Sequence, residues 1–246
     1  MEKYVLALEL IGTVAFALSG VLVGIKKNLD LFGVVMVGVI AACGGGILRD
    51  AFLGQLPPVM FQKPIYALTA VIVSCIMLIP KVYRFAMKNQ RAYDLTMLLS
   101  DSVGVGLFTA AGMSAVVAAG HGDNLFLMVF IGTLTGVGGG LLRDLVTQTL
   151  PYIFTKHFYA CACIIGALVG GLLWDVLGQQ TAMLVCAAVV FIVRLLAARF
   201  RWKMPKAEKW LSKEIAELEA EKEAEKAKEA ALEKEEEQAI ASSPSE

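Results

Sequence analysis

The heptapeptide GGGILRD at residues 44–50 lies late in a long apolar run, and it recurs as GGGLLRD at residues 138–144. Three consecutive glycines predict an interrupted helix, since each costs about 1 kcal/mol relative to alanine in a helix interior. An Arg-Asp pair follows each triplet, where apolar side chains would be expected. In a membrane, a broken helix is tolerated only where it packs against protein or lines a wet cavity. The two stretches therefore predict a path or a pocket.

The composition indicates a membrane protein. The chain of 246 residues is 57% hydrophobic and 18% charged, with a mean hydropathy of +0.68. A soluble domain is usually about 45–50% apolar and about 25% charged. Residues 203–246 hold 8 lysines and 13 acidic residues. We therefore predict an all-α membrane body followed by a charged cytoplasmic tail that is partly helical or disordered.

The body contains a series of apolar runs, each near the roughly 20 residues that cross the hydrocarbon core. The first run is too long for a signal peptide, and no strongly positive segment precedes it. We therefore predict seven transmembrane helices, at residues 4–25, 31–55, 64–82, 95–119, 125–147, 158–173 and 181–198.

The first three runs are repeated in the next three. The triple glycines are offset by 94 residues, and flanking matches on either side have offsets of 92 and 93. These matches pair Glu9, Gly12, Phe16 and Gly20 with Asp101, Gly104, Phe108 and Gly112, and Gln55, Pro58, Phe61, Lys63 and Tyr66 with Gln148, Pro151, Phe154, Lys156 and Tyr159. The predicted units are a first three-helix repeat (1–92), a second repeat (93–176), a seventh helix (177–202) and the tail (203–246).

Units of three spans must alternate in orientation, so the two repeats are predicted to be inverted, as in many transport proteins. The positive-inside rule then places the N-terminus outside and the C-terminus in the cytoplasm. In that orientation the outer side holds little beyond Lys3, Arg49 and Lys63. The predicted inner side holds Lys26, Lys27, Lys81, Arg84, Lys88, Arg91, Arg143, Lys156, Arg199, Arg201, Lys203 and Lys206.

Charged side chains within the runs form a symmetric set, and each costs about 2.5–3.5 kcal/mol on insertion scales. The set is Glu9 with Arg49 and Asp50, and Asp101 with Arg143 and Asp144. Two interpretations remain open. In the first, the charges are buried pairs that fix helix register. In the second, the acids and the freed backbone carbonyls line a cation route, and the arginines gate this route or hold the acids in place.

Other chemistries find little support in the sequence. The five cysteines lie in apolar runs, and the Cys161–Cys163 spacing does not suit a metal site. No Gly-Lys-Ser/Thr follows the glycines, as a phosphate-binding loop requires. The basic residues are explained by topology, so nucleic-acid binding is not expected. We expect no enzymatic activity and no cofactor or metal beyond a permeant K⁺ or Na⁺ ion.

With two Gly-Gly-Gly-x-Leu-Arg-Asp motifs in two three-helix repeats plus a seventh helix, the chain resembles the prokaryotic trimeric intracellular cation (TRIC) channel family, whose sequences are also grouped under a glycine transporter label. The resemblance covers residues 4–198. It implies an inner-membrane homotrimer with one K⁺- and Na⁺-conducting pore in each subunit, bordered by kinked helices two and five. Animal members carry a Lys-Glu-Val lipid-binding motif that is absent here. By motif, the implied pore residues are Gly44, Gly45, Gly46, Gly138, Gly139 and Gly140, with Arg49, Asp50, Arg143 and Asp144 as associated charges.

Three functions remain as hypotheses. The first is a passive monovalent cation channel. The second is a secondary transporter of glycine or another small amino acid, in which broken helices bind carboxylate and ammonium groups. The third is a membrane scaffold whose tail recruits partners. The resemblance favours the channel, with the lipid bilayer and further copies of the chain as its partners.

Overall fold

The computed structural model describes residues 2–86, 88–155, 158–202, 211–212 and 214–226. Lys156, Lys203, Lys206 and most of the predicted tail lie outside these residues. The chain divides into a unit of residues 1–202 and a unit of residues 203–246. Within the described part of the second unit, residues 214–226 are helical. The described residues of the first unit contain eleven helices: α1 (Glu2–Lys26), α2 (Leu31–Phe52), α3 (Val59–Gln62), α4 (Ile65–Met77), α5 (Pro80–Ala86), α6 (Gln90–Ala118), α7 (Leu125–Val146), α8 (Tyr152–Thr155), α9 (Tyr159–Leu172), α10 (Trp174–Leu177) and α11 (Gln179–Phe200).

Local sequence signals begin and end the glycine-rich helices at matching places. The Asp30 carboxylate accepts a hydrogen bond from the Gly33 amide at 2.7 Å and caps α2, and Asn124 caps α7 in the same way. Such caps satisfy amides that have no partner within the helix. Just beyond the helices, Gly54 and Gln148 have φ values of 68° and 50°, the left-handed conformation that commonly ends a helix.

Four helices form the centre of the body. α1 packs on α2 and α6, and α7 packs on α2 and α6. The later helix of each predicted repeat lies outside this group, with α4 against α1 and α2, and α9 against α6 and α7. α11, which has no counterpart in the repeat, packs on α6 and α9. The fold is therefore all-helical, as predicted.

Five of these helices are long and apolar enough to span a membrane: α1, α2, α6, α7 and α11. α4 and α9, which correspond to the predicted third and sixth spans, are apolar but have only 13 and 14 residues. At 1.5 Å per residue such a helix is about 20 Å long, less than the hydrocarbon thickness of about 30 Å. The predicted third run, 64–82, was too long because Pro80 begins a separate helix, α5, as proline at a first helical position does.

The triple glycines do not interrupt the helices, so this prediction was wrong. α2 and α7 are continuous α-helices through residues 44–46 and 138–140, and the carbonyls there remain within the helical pattern rather than being freed. The physical reason is packing, because small residues allow two helices to approach closely and this offsets their poor helix propensity.

The close approach is visible at one glycine of each triplet. A Cβ atom added to Gly45 would collide with the carbonyl oxygen of Thr135, and one added to Gly139 would collide with the carbonyl oxygen of Ala41. Thr135 lies 94 residues after Ala41, the same offset that separates the two glycines. The contacts across the α2–α7 crossing are therefore reciprocal.

A second reciprocal contact lies between α1 and α6. Phe16 stacks on Phe108 with ring centroids 5.4 Å apart. A Cβ atom on Gly12 would touch the Phe108 ring, and one on Gly104 would touch the Phe16 ring. Gly12 of α1 therefore packs on Phe108 of α6, and its counterpart Gly104 packs on Phe16 in the same way.

Candidate functional site

The first cluster of charges joins α1, α2 and α4. Arg49 Nη1 lies 2.7 Å from Glu9 Oε1, and Arg49 Nε lies 2.8 Å from Asp50 Oδ1. Tyr66 donates its hydroxyl hydrogen to Glu9 Oε2 at 2.5 Å. The other Asp50 oxygen accepts from the Val59 amide at 2.8 Å, which fixes α3 against the end of α2. We call these residues, Glu9, Arg49, Asp50 and Tyr66, the first cluster.

The second cluster, Asp101, Arg143, Asp144 and Tyr159, joins α6, α7 and α9. Arg143 Nη1 lies 3.0 Å from Asp101 Oδ1, and Arg143 Nε lies 2.8 Å from Asp144 Oδ1. Tyr159 donates to Asp101 Oδ1 at 3.3 Å. The second Asp144 oxygen accepts from the Tyr152 amide at 2.9 Å. Each of these four contacts has its counterpart in the first cluster, and Arg143 Nη1 also donates to Ser19 Oγ of α1 at 2.9 Å.

The structure brings together all six charged residues that the sequence singled out, in the two predicted groups. The Glu9–Arg49 and Asp101–Arg143 pairings are present, and both are buried. Arg143 is fully buried and lies within α7. Whether these residues and the glycines border a pore stays a prediction.

One member of the second cluster was missed by sequence reasoning. Arg194 in α11 donates from Nη2 to Asp101 Oδ2 at 2.6 Å and from Nε to Ser102 Oγ at 3.1 Å. Its guanidinium lies 4.2 Å from the centre of the Tyr159 ring, within the range of a cation–π interaction. The signal that could have found it is a lone arginine within an apolar run, which calls for a buried partner.

The two clusters consequently differ in formal charge. The first contains two carboxylates and one guanidinium, giving −1. The second contains two carboxylates and the two guanidinium groups of Arg143 and Arg194, giving 0. The two repeats contribute the same charged groups to the two clusters. Arg194 of α11 adds a positive charge to the second cluster, so the clusters differ in net charge.

The two clusters also differ in access. A cavity of about 350 Å³ reaches Glu9, Arg49 and Tyr66 from the end of the body where α1 begins and α6 ends. A smaller cavity of about 20 Å³, also lined by these three residues, lies deeper beside Gly46 and Asp50, and it is large enough for one water molecule. In the second cluster, Asp101 and Arg143 have 0% exposure. The first cluster therefore adjoins two cavities, whereas Asp101 and Arg143 of the second are fully buried.

The hydrogen bonding of the Arg143 guanidinium is incomplete within the described residues. Arg143 Nη2 has no hydrogen-bond partner within the described residues, although its guanidinium lies 5.2 Å from the centre of the Tyr152 ring. In the part of the chain that the structure describes, no group of three or more His, Cys, Asp or Glu residues could hold a metal ion.

The unequal tyrosine contacts yield a testable difference in stability. We expect Tyr66→Phe to lower the free energy of unfolding by about 1.5 kcal/mol, because it removes a short hydrogen bond to a buried carboxylate. Tyr159→Phe is the matched control. Its hydroxyl contact is longer, and two arginines still satisfy Asp101, so a loss below about 1 kcal/mol is expected. Chemical unfolding in detergent micelles measures both. Equal losses would mean that the two hydroxyls contribute alike.

Long apolar helices with buried, paired charges define the chain as an α-helical membrane protein. A family model described as "Glycine transporter" matches residues 6–81 and 98–175. The chain is 38% identical over 170 residues to a UPF0126 membrane protein of Deinococcus radiodurans, covering 68% of this chain and 74% of that protein. It is 33% identical over 201 residues to the UPF0126 inner membrane protein YadS of Escherichia coli K12, covering 80% and 93%. The chain belongs to the family that this model describes.

Solved structures with the same fold are TRIC cation channels, as the resemblance predicted. One, described as the structural basis for conductance through TRIC cation channels, shares 32% identity with a TM-score of 0.71, covering 81% of this chain and 95% of that one. A prokaryotic TRIC channel crystallised in 0.5 M KCl shares 29% identity with a TM-score of 0.75, covering 83% and 100%. A TRIC trimeric intracellular cation channel orthologue from Rhodobacter sphaeroides shares 28% identity with a TM-score of 0.72, covering 80% and 98%.

Proposed function

We propose that the protein is a monovalent cation channel that conducts K⁺ and Na⁺ through a pore within each subunit of a homotrimer. The observation that carries the proposal is the cavity of about 350 Å³ that leads to Glu9 and Arg49. There it meets a buried cluster with a formal charge of −1, which attracts cations and disfavours anions. Likeness to TRIC cation channels at 28–32% identity supports the same function, and the trimer is carried over from those proteins.

The proposed pore runs between the two clusters, bordered by α2 and α7 where their glycines cross. Gly46 supports this route, because a Cβ atom there would meet no atom within 4 Å and Gly46 lines the small cavity. In this proposal the middle glycines, Gly45 and Gly139, hold the crossing together rather than kinking it. The arginines brace the acids that face the route.

The proposed topology has seven spans in two inverted repeats plus α11, with the N-terminus outside. The large cavity is lined by Val5, near the start of α1, and by Ala118, at the end of α6. At the opposite end, Lys26 of α1 lies 4.5 Å from the centre of the Tyr93 ring of α6. α1 and α6 therefore run antiparallel, which supports inversion because they are counterparts in the repeat. Three exposed basic residues lie at that end: Lys27 follows α1, Arg84 lies in α5 and Arg91 lies in the first turn of α6. Their position supports a cytoplasmic location for that end.

α4 and α9 fit this proposal despite their lengths. Each is preceded by a short helix, α3 or α8, whose first amide is bound by a carboxylate of the adjacent cluster. These hydrogen bonds fix the start of each short helix against the cluster of its own repeat. Each short helix and its partner together complete one proposed crossing.

A secondary transporter of glycine is the second candidate, because the matching family model carries that description. Both clusters also hold charges of both signs, as binding of a zwitterion requires. A channel needs a continuous wet path, whereas a transporter needs an occluded site reached alternately from each side. The two candidates share the fold and differ in transport mechanism.

Recording of the purified protein in planar bilayers under a KCl gradient tests the choice. We expect discrete current steps with a reversal potential near the K⁺ equilibrium potential, unchanged when glycine is added. Uptake of glycine into proteoliposomes that contain the purified protein provides the complementary measurement. Silent bilayers together with concentrative glycine uptake would reject the channel and establish the transporter.

A further inference from the structure

Arg194 is the feature that breaks the symmetry between the two clusters. It lies in α11, the one predicted span without a repeat counterpart. Asp101 Oδ2 accepts a hydrogen bond from Arg194, whereas the matching oxygen of the first cluster, Glu9 Oε2, accepts from the hydroxyl of Tyr66. A charged donor from outside the repeat thus replaces a neutral donor from within it.

The position of Arg194 is fixed by several contacts. Its side chain bridges Asp101 and Ser102, stacks on the Tyr159 ring, and is only 7% exposed. α11 lies close to α6 at Gly106, where an added Cβ atom would collide with the carbonyl oxygen of Ala187. The guanidinium is therefore built into the cluster rather than resting on the surface of the body.

The chemistry of this contact is that of a cation on a carboxylate. A guanidinium at 2.6 Å from Asp101 Oδ2 occupies the place where a permeant cation passing Asp101 would bind. Without Arg194 the second cluster would contain two carboxylates and one guanidinium, the same formal charge of −1 as the first. With it, the cluster is neutral and offers a passing cation no free carboxylate oxygen on that side.

Resting on the proposed function, we propose that Arg194 is a tethered counter-ion that occupies the cation position at the second cluster. It limits K⁺ conductance there and leaves the first cluster, with its charge of −1, to determine selection of cations over anions. The seventh helix thereby acts as an internal inhibitor of the route formed by the two repeats.

Single-channel recording of Arg194→Gln tests the proposal. We expect K⁺ conductance to rise by about two-fold or more in about 0.1 M KCl, and the rise to shrink in about 1 M KCl, where the Debye length is about 3 Å. The matched control is Arg199→Gln, which removes the same charge from an exposed position in the same helix and should leave the conductance unchanged. An Arg194→Gln channel with unchanged or lower conductance would overturn the proposal.

Two further variants separate charge from packing. Arg194→Lys keeps the charge and should conduct like the native protein, whereas a conductance like that of Arg194→Gln would refute the counter-ion role. The double variant Asp101→Asn with Arg194→Gln keeps the cluster neutral and should lose the gain in conductance. It also provides the test if Arg194→Gln alone fails to fold, since persistence of an elevated conductance would then contradict the proposal. A native protein that is silent in bilayers would reject the proposed function, whereas a conducting one unaffected at Arg194 would reject this inference alone.

Discussion

Replacement of Gly139 by leucine is expected to lower the free energy of unfolding by at least about 3 kcal/mol, because overpacking costs about 1–3 kcal/mol and occasionally more. A Cβ atom at this position already collides with the backbone carbonyl of Ala41. Backbone atoms cannot rotate away as a flexible side chain can, so α2 and α7 must separate. Under the proposed function the same separation distorts the route between the clusters, and K⁺ flux should fall with stability.

Two other glycines of the triplets, Gly46 and Gly45, supply the variants for comparison. Gly46→Ala introduces a Cβ atom that meets nothing within 4 Å, and alanine is about 1 kcal/mol better than glycine in a helix. It should therefore unfold no more easily than the native protein. Gly45→Leu should reproduce the loss at Gly139, because the contacts across the crossing are reciprocal. Chemical unfolding in detergent micelles compares the three variants. Equal free energies of unfolding for the Gly46 and Gly139 variants would contradict the prediction, because α2 and α7 would then separate without loss of stability.

The paired charges could be predicted from the sequence because two constraints act on them together. A charged side chain in an apolar span needs a partner, and the internal repeat identifies equivalent partners at matching positions. Glu9 with Arg49 and Asp101 with Arg143 follow from this reasoning and are found in contact. The family and its fold were likewise accessible from the duplicated motif.

Other features depend on tertiary contacts that the pattern does not contain. The low helix propensity of glycine predicts that the triplets interrupt their helices. At the α2–α7 crossing, however, the absence of side chains allows the two helices to pack closely, and both helices continue. Arg194 has no repeat counterpart and lies near Arg199 and Arg201, so by position it resembles part of a basic flank. Only the approach of α11 to α6 shows that it reaches Asp101.

Replacement of Asp101 by asparagine is expected to cause the largest loss of stability at a charged position. Asp101 accepts hydrogen bonds from Arg143, Arg194 and Tyr159, and it is fully buried. Neutralising it leaves Arg143 paired with Asp144 and removes the carboxylate that pairs with Arg194, so the formal charge of the cluster becomes +1. Removing one partner of a buried ionic group typically costs about 3–5 kcal/mol, because the remaining charge is uncompensated.

Glu9→Gln is the matched change in the first cluster, and we expect a different outcome. Arg49 keeps its contact with Asp50 at 2.8 Å, the cluster changes from −1 to 0, and the adjoining cavity gives access to water. The stability loss should therefore remain below about 2 kcal/mol, since a partly solvated pair contributes less than a buried one. Under the proposed function, however, this variant removes the charge that selects cations, so the reversal potential under a KCl gradient should move towards zero.

The comparison distinguishes the two interpretations that the sequence left open. If the pairs only fix helix register, Glu9→Gln should leave the reversal potential unchanged, and its effect would be confined to unfolding. If the first cluster selects cations, selectivity falls while the protein stays folded, and Asp101→Asn mainly loses stability. Because the repeat places the same charged groups in both clusters, such a division would follow from two features that differ between them: the cavities beside the first cluster and the guanidinium of Arg194 in the second.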